Sequence, residues 1–132
     1  MFIFSYFKKL KNYCKYYNKN ASDENESFLI ACENSNIKIL NFLYKKFSNS
    51  LPFEKALKIC SYKEDKKLSD WILSKKNLNL DLCLKNACIN FDCKLSEFLV
   101  VNGANVNVGL KYSNSVNITQ MLYKYKNISN GV

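Results

Sequence analysis

Ala87-Cys88-Ile89-Asn90-Phe91-Asp92-Cys93-Lys94-Leu95-Ser96-Glu97-Phe98-Leu99 sets two small residues ahead of a bulky apolar group, and the chain does this more than once. An earlier copy runs from Ala31-Cys32-Glu33-Asn34 to Ile39-Leu40-Asn41-Phe42-Leu43, and a middle one from Ile59-Cys60-Ser61 to Leu68-Ser69-Asp70-Trp71-Ile72. Phe42, Trp71 and Phe98 recur at two nearly equal intervals, a period of about 28 residues. Ile39, Leu68 and Leu95 keep the same two intervals, as do Leu43, Ile72 and Leu99, and the small residues Ala31, Cys60 and Ala87. Ile118, Met121 and Leu122 begin a partial fourth copy. Within each copy the large apolar residues fall at i, i+3 and i+4, which is a helical period and not the alternation of a strand. A small residue on one helix facing a bulky pair on the next suits two antiparallel helices at close approach. The sequence therefore predicts an all-α chain of stacked antiparallel helical hairpins, three to four degenerate copies long.

These residues resemble the ankyrin repeat. The family's first helix carries an Ala-Ala or Ala-Cys pair, matched by Ala31-Cys32 and Ala87-Cys88, and its second helix carries an aliphatic-x-x-Leu-Leu pattern, matched by the bulky positions. Asn102-Gly103-Ala104-Asn105-Val106-Asn107 is similar to the family's helix end, a Gly followed by Ala-Asp-Val-Asn. Gly103 suits that place because glycine adopts the left-handed conformation at little cost. Asn77 stands near the equivalent point one copy earlier, and Asn is the next-best left-handed residue. The family's Thr-Pro-Leu-His turn is absent; Glu26-Ser27-Phe28-Leu29 and Leu82-Cys83-Leu84-Lys85 stand in its place. The copies are also shorter than the usual repeat of about 33 residues, which suggests abbreviated β-hairpin fingers between them. The resemblance spans about Asn25 to Lys126, and the Asn- and Lys-rich character is similar to divergent members of the family from AT-rich protozoan or large DNA virus genomes. It implies an ankyrin-like solenoid over residues 25–132 that binds another protein.

Residues 1–24 read differently. Phe7, Leu10, Cys14 and Tyr17 lie at helical spacing beside a stripe of Lys8, Lys11, Lys15 and Lys19, and no acid precedes Asp23. Such a basic amphipathic helix suits a cap over the open end of a stack; the alternative is a helix lying on an anionic membrane. Ser22 is placed to N-cap the helix that Asp23-Glu24-Asn25-Glu26 opens, its acids matching the first-turn dipole.

Composition narrows the chemistry. The 132 residues include no His, three glycines and 20 basic residues, all Lys, against 11 acids, for a net charge of +9. Without His there is no Ser-His or Cys-His nucleophile pair, and no His-ligated metal. Three scattered glycines, Gly103, Gly109 and Gly131, build no phosphate cradle. Glu64-Asp65 are sequence neighbours that do not face one another on a helix, so they form no acid pair. The reading is non-enzymatic, with no cofactor and no metal. The absence of Arg removes the usual bidentate reader of bases and phosphates, so nucleic acid is the disfavoured partner class, and the charge also follows from an AT-rich codon bias.

Cys14, Cys32, Cys60, Cys83, Cys88 and Cys93 contain no Cys-x-x-Cys, and the five-residue spacing of the last three does not put them on one helical face. Residues 1–7 lack the basic start of a secretory leader, and no apolar stretch reaches about 20 residues. Six reduced thiols, buried as small hydrophobes, in a cytoplasmic protein is the expectation. Trp71, a frequent binding anchor by type, aligns with Phe42 and Phe98, so all three are expected in the core, with Lys45-Lys46 and Lys75-Lys76 exposed at helix ends. The expected function is a monomeric protein–protein interaction module; the alternative is a small basic protein binding RNA or an anionic membrane. The residues expected to touch a partner lie in the connections between hairpins (Ser48 to Pro52, Asn77 to Leu82 and Asn105 to Tyr112): Asn49, Ser50, Asn79, Asp81, Asn105, Asn107, Lys111 and Tyr112.

Overall fold

A computed structural model describes residues 23–48, 50–75 and 78–129. Among them every regular element is a helix: α1 Asp23–Glu33, α2 Ile37–Phe47, α3 Phe53–Lys63, α4 Lys66–Lys75, α5 Leu80–Ile89, α6 Cys93–Val101, α7 Val106–Tyr112 and α8 Val116–Ser129. The all-α expectation holds. No strand occurs among the described residues, so the expected β-hairpin fingers are replaced by short turns and, over residues 106–112, by helix α7. The expected capping helix and its N-cap Ser22, together with Asn49 and Asn77, lie outside the described residues. None of the described helices is long and apolar enough to cross a membrane.

The chain divides into two compact units, Met1–Lys76 and Asn77–Val132. In the first, α1 pairs with α2 and α3 with α4, and α1 also packs against α3. In the second, α5 pairs with α6 and α7 with α8, while α5 packs on α7 and α6 on α8. The described residues of each unit thus form two hairpins.

The repeated sequence positions do the same structural work in each hairpin. Ala31, Cys60 and Ala87 are buried, as are Cys32, Ser61 and Cys88 beside them, so each first helix offers a surface small enough for a neighbour to approach closely. Leu43, Ile72 and Leu99 are fully buried, as are Ile118 and Leu122 in the last hairpin. Ile39 and Leu68 are buried but their counterpart Leu95 is half-buried.

Three links share a device that the apolar pattern did not announce. Ser35 (φ 51°), Glu64 (φ 55°) and Phe91 (φ 59°) are all left-handed, and they recur at the same two intervals as the core positions. The residue that follows each of them caps the next helix. Asn36 accepts from the Ile39 N–H at 3.2 Å, Asp65 from the Leu68 N–H at 3.3 Å, and Asp92 from the Leu95 N–H at 3.1 Å. Each cap satisfies one of the N–H groups that a helix start leaves without a partner, for about 1 kcal/mol. In the first and third links the left-handed residue also closes the preceding helix by paired back-bonds. Ser35 N–H reaches Cys32 O and Asn36 N–H reaches Ala31 O; Phe91 N–H reaches Cys88 O and Asp92 N–H reaches Ala87 O. Gly103 (φ 112°) closes α6 in the same way, through Gly103 N–H to Val100 O and Ala104 N–H to Leu99 O, as its sequence context anticipated.

Gly109 has a different reason. A Cβ there would stand 2.9 Å from Leu122 Cδ1 and 3.2 Å from Leu84 Cδ2. Glycine lets the short helix α7 lie backbone-close against both α8 and α5.

The aromatic register needs correction. Trp71 is buried at 8% exposure, but Phe42 and Phe98 are only half-buried. Trp71 fills the core of the first unit by stacking on Phe53 at 6.4 Å and 10°, with Phe28 at 6.3 Å and the edge of Tyr44 at 6.0 Å. Its indole N–H donates to Asn41 Oδ1 at 2.7 Å, so the one polar atom of the ring is satisfied. Lys45 and Lys46 are exposed as expected, whereas Lys75 is half-buried, its ammonium 5.9 Å from both the Trp71 and Tyr44 rings. Tyr44 Oη donates to Lys75 O at 2.7 Å, which ties the end of α4 to α2.

Candidate functional site

In the first unit, equivalent positions of successive hairpins touch. Tyr62 Oη donates to a Glu33 carboxylate oxygen, across one full repeat interval. That hydrogen bond raises the Tyr62 pKa above its ordinary value. Lys63 Nζ donates to Glu33 O at 2.6 Å, a cation at a helix C-terminus where the dipole favours it. The Ser35 hydroxyl of the first link lies beside Asp65 of the second and is the first cause of the lowered Asp65 pKa, although it falls short of strict hydrogen-bond geometry; the Leu68 N–H is the second cause. Equivalent links, like equivalent helix positions, are therefore neighbours.

The expected partner-contacting residues are distributed unevenly. Ser50 is exposed in the α2–α3 connection, where its hydroxyl donates to Phe47 O at 3.2 Å. In the second unit Asn79 is spent on structure, capping α5 by accepting from the Leu82 N–H at 3.0 Å. Asp81, in the first turn of α5, accepts the Asn105 backbone N–H at 2.7 Å, and Asn105 Oδ1 accepts the Asn107 N–H at 2.9 Å. Asp81, Asn105 and Asn107 thus form one exposed hydrogen-bonded group. Lys111 and Tyr112 end α7, so with Asn107 they lie on a helix and not on a loop tip. The expectation of a β-hairpin finger is corrected there, because Asn105 caps the segment and starts a helix.

The sequence reading missed Lys85. Its ammonium lies 4.7 Å from the centre of the Tyr112 ring, and Lys111 Nζ lies 5.5 Å from the same ring. Lys85 shares a face of α5 with Leu82 and Ile89, both nearly half exposed. One interval earlier, α3 repeats the arrangement with exposed Lys58 one helical turn before exposed Tyr62. The signal was present at the repeat spacing, but periodicity searches weigh core positions and this strip is on the surface.

No group of three or more His, Cys, Asp or Glu among the described residues converges to hold a metal ion. Cys32 is pushed up to about 12 and Cys60 to about 11, both mainly by burial, and burial also raises Cys88, whose Sγ lies 3.8 Å from Ser96 Oγ. Thiols so protonated are poor nucleophiles. Cys32, Cys60 and Cys88 are buried as expected, whereas Cys83 and Cys93 are only half-buried because they face the edge of their helices' packing, and Cys14 lies outside the described residues. No family model, curated protein or solved structure matches the chain.

Proposed function

We propose that this chain is a non-enzymatic protein-binding module of the ankyrin-like type, a short array of degenerate helical hairpins. The observation that carries the reading is the recurrence of one hairpin design, in which a left-handed link residue, an N-cap and a small-residue first helix all keep the same two intervals. Within each unit the first helices pack on one another as those of stacked repeats do, and the usual task of repeat surfaces is protein binding. In this reading the protein is a cytoplasmic scaffold or adaptor that works as a monomer without cofactor or metal.

A second reading rests on charge. Residues 1–22 carry five Lys and no acid, whereas residues 77–132 carry five Lys against three acids. An RNA or anionic membrane contact would draw on that first segment, which lies outside the described residues. Salt separates the two readings. The immobilised full chain is exposed to extract from the cell that makes it and washed at about 50 and then about 200 mM salt. Binding carried by phosphates falls by about 10³ or more over that range. A protein partner that survives both washes supports the module; loss of everything but nucleic acid or lipid at low salt refutes it.

A further inference from the structure

We propose that the outward face of α5, with the end of α7, docks an acidic segment of the partner protein; this rests on the protein-binding reading above and names the surface and the partner's chemistry. Two ammonium groups, Lys85 and Lys111, lie 4.7 and 5.5 Å from the centre of the single ring of Tyr112. Among the described residues neither pairs with a carboxylate. The acids of the second unit that stand nearest in sequence are engaged elsewhere: Asp81 holds the Asn105 N–H and Asp92 caps α6. Two like charges held against one ring repel, and acidic groups from outside relieve that repulsion.

The flanks of this charge pair are apolar. Leu82 and Ile89 are 46% and 47% exposed and lie two helical turns apart on α5 with Lys85 between them. At about 1.5 Å per residue they stand about 10 Å apart along the helix. The surface therefore fits a segment that presents a Glu or Asp between two aliphatic side chains, with its acid on Lys85 and Lys111 and its apolar groups on Leu82 and Ile89. A protein segment fits better than a nucleic acid or a membrane. Five Lys against three acids in residues 77–132 is too little charge to track a phosphate backbone, and a bare phosphate strand has nothing to set on Leu82 and Ile89.

The test is zero-length carbodiimide cross-linking, which joins an ammonium group to a carboxylate in direct contact. The full chain is cross-linked in extract from the cell that makes it, and the joined residues are read by peptide mass spectrometry. Expected are links from Lys85 or Lys111 to a Glu or Asp of a partner protein, with total recovery of that partner, through any lysine, reduced about ten-fold or more in Lys85→Glu/Lys111→Glu and unchanged in the surface control Lys38→Glu, with circular dichroism verifying that each variant folds. A partner protein joined only through other lysines, or joined as well by the double variant as by the native chain, overturns this surface while leaving the protein-binding reading in place. Recovery of nucleic acid or lipid with no protein cross-link overturns both.

Discussion

Replacing Trp71 by Ala tests the packing of the first unit where it is most concentrated. The indole is 8% exposed and stacks on Phe53 at 6.4 Å, with Phe28 and Tyr44 closing around it. Truncating a buried Trp to Ala costs about 3–5 kcal/mol through lost burial and the cavity left behind. The aromatic pairs add about 0.5–1.5 kcal/mol each beyond area, and the Lys75 ammonium about 0.5–1 kcal/mol, though these do not sum independently. The hydrogen bond to Asn41 adds less, because Asn41 is exposed and water replaces the indole. A loss of about 4 kcal/mol is expected, a large share of the roughly 5–15 kcal/mol that stabilises a typical domain. Phe42→Ala and Phe98→Ala, at half-buried sites, should cost about half as much. Urea denaturation followed by far-ultraviolet circular dichroism measures all three. Since Trp71 is the chain's one Trp, its fluorescence in the native protein reports the first unit alone. A Trp71→Ala loss under about 1 kcal/mol, or a Phe98→Ala loss as large as that of Trp71→Ala, would refute the packing account.

Asp65 is held below its ordinary value by the Ser35 hydroxyl and the Leu68 N–H, so its contribution is present above the unfolded carboxyl pKa and is lost as pH falls through the folded one. Asp65→Asn keeps an equally good N-cap; its urea midpoint should therefore fall less steeply below about pH 4 than that of the native chain, and equal slopes would contradict the assignment. The raised Cys32 and Cys60 act at the other end of the scale. Above the unfolded thiol pKa, near 9, the unfolded chain ionises while the folded one holds its protons, so stability should decline from that pH upward, and iodoacetamide at about pH 8 should label half-buried Cys83 and Cys93 before Cys32, Cys60 or Cys88. Gly109→Ala sets a helix-propensity gain of about 1 kcal/mol against overpacking of about 1–3 kcal/mol. Because Leu122 and Leu84 are fully buried and have no room to turn away, the denaturation midpoint should fall, and a rise would show that α7 is free to shift.

The sequence by itself determined the helical class, the two repeat intervals and most of the buried positions. Those features are local: a helical period and a small residue set two turns before a bulky one are written along the chain. It also determined the Gly103 helix end, where only backbone conformation is at stake. The links were legible in principle, since Asn36, Asp65 and Asp92 follow the same intervals, but polar caps carry no apolar period and escape a search built on one. Tertiary structure alone decided which equivalent residues are equally buried. Trp71 is enclosed because Phe28, Phe53 and Tyr44 converge on it, whereas Phe42 and Phe98 are only half-buried, a difference that spacing does not encode. It decided that residues 106–112 form a helix where an extended connection was expected. It also set Lys85, from one hairpin, over the Tyr112 ring of the next, a full repeat further along the chain. Through-space electrostatics of that kind exists only after the hairpins have packed.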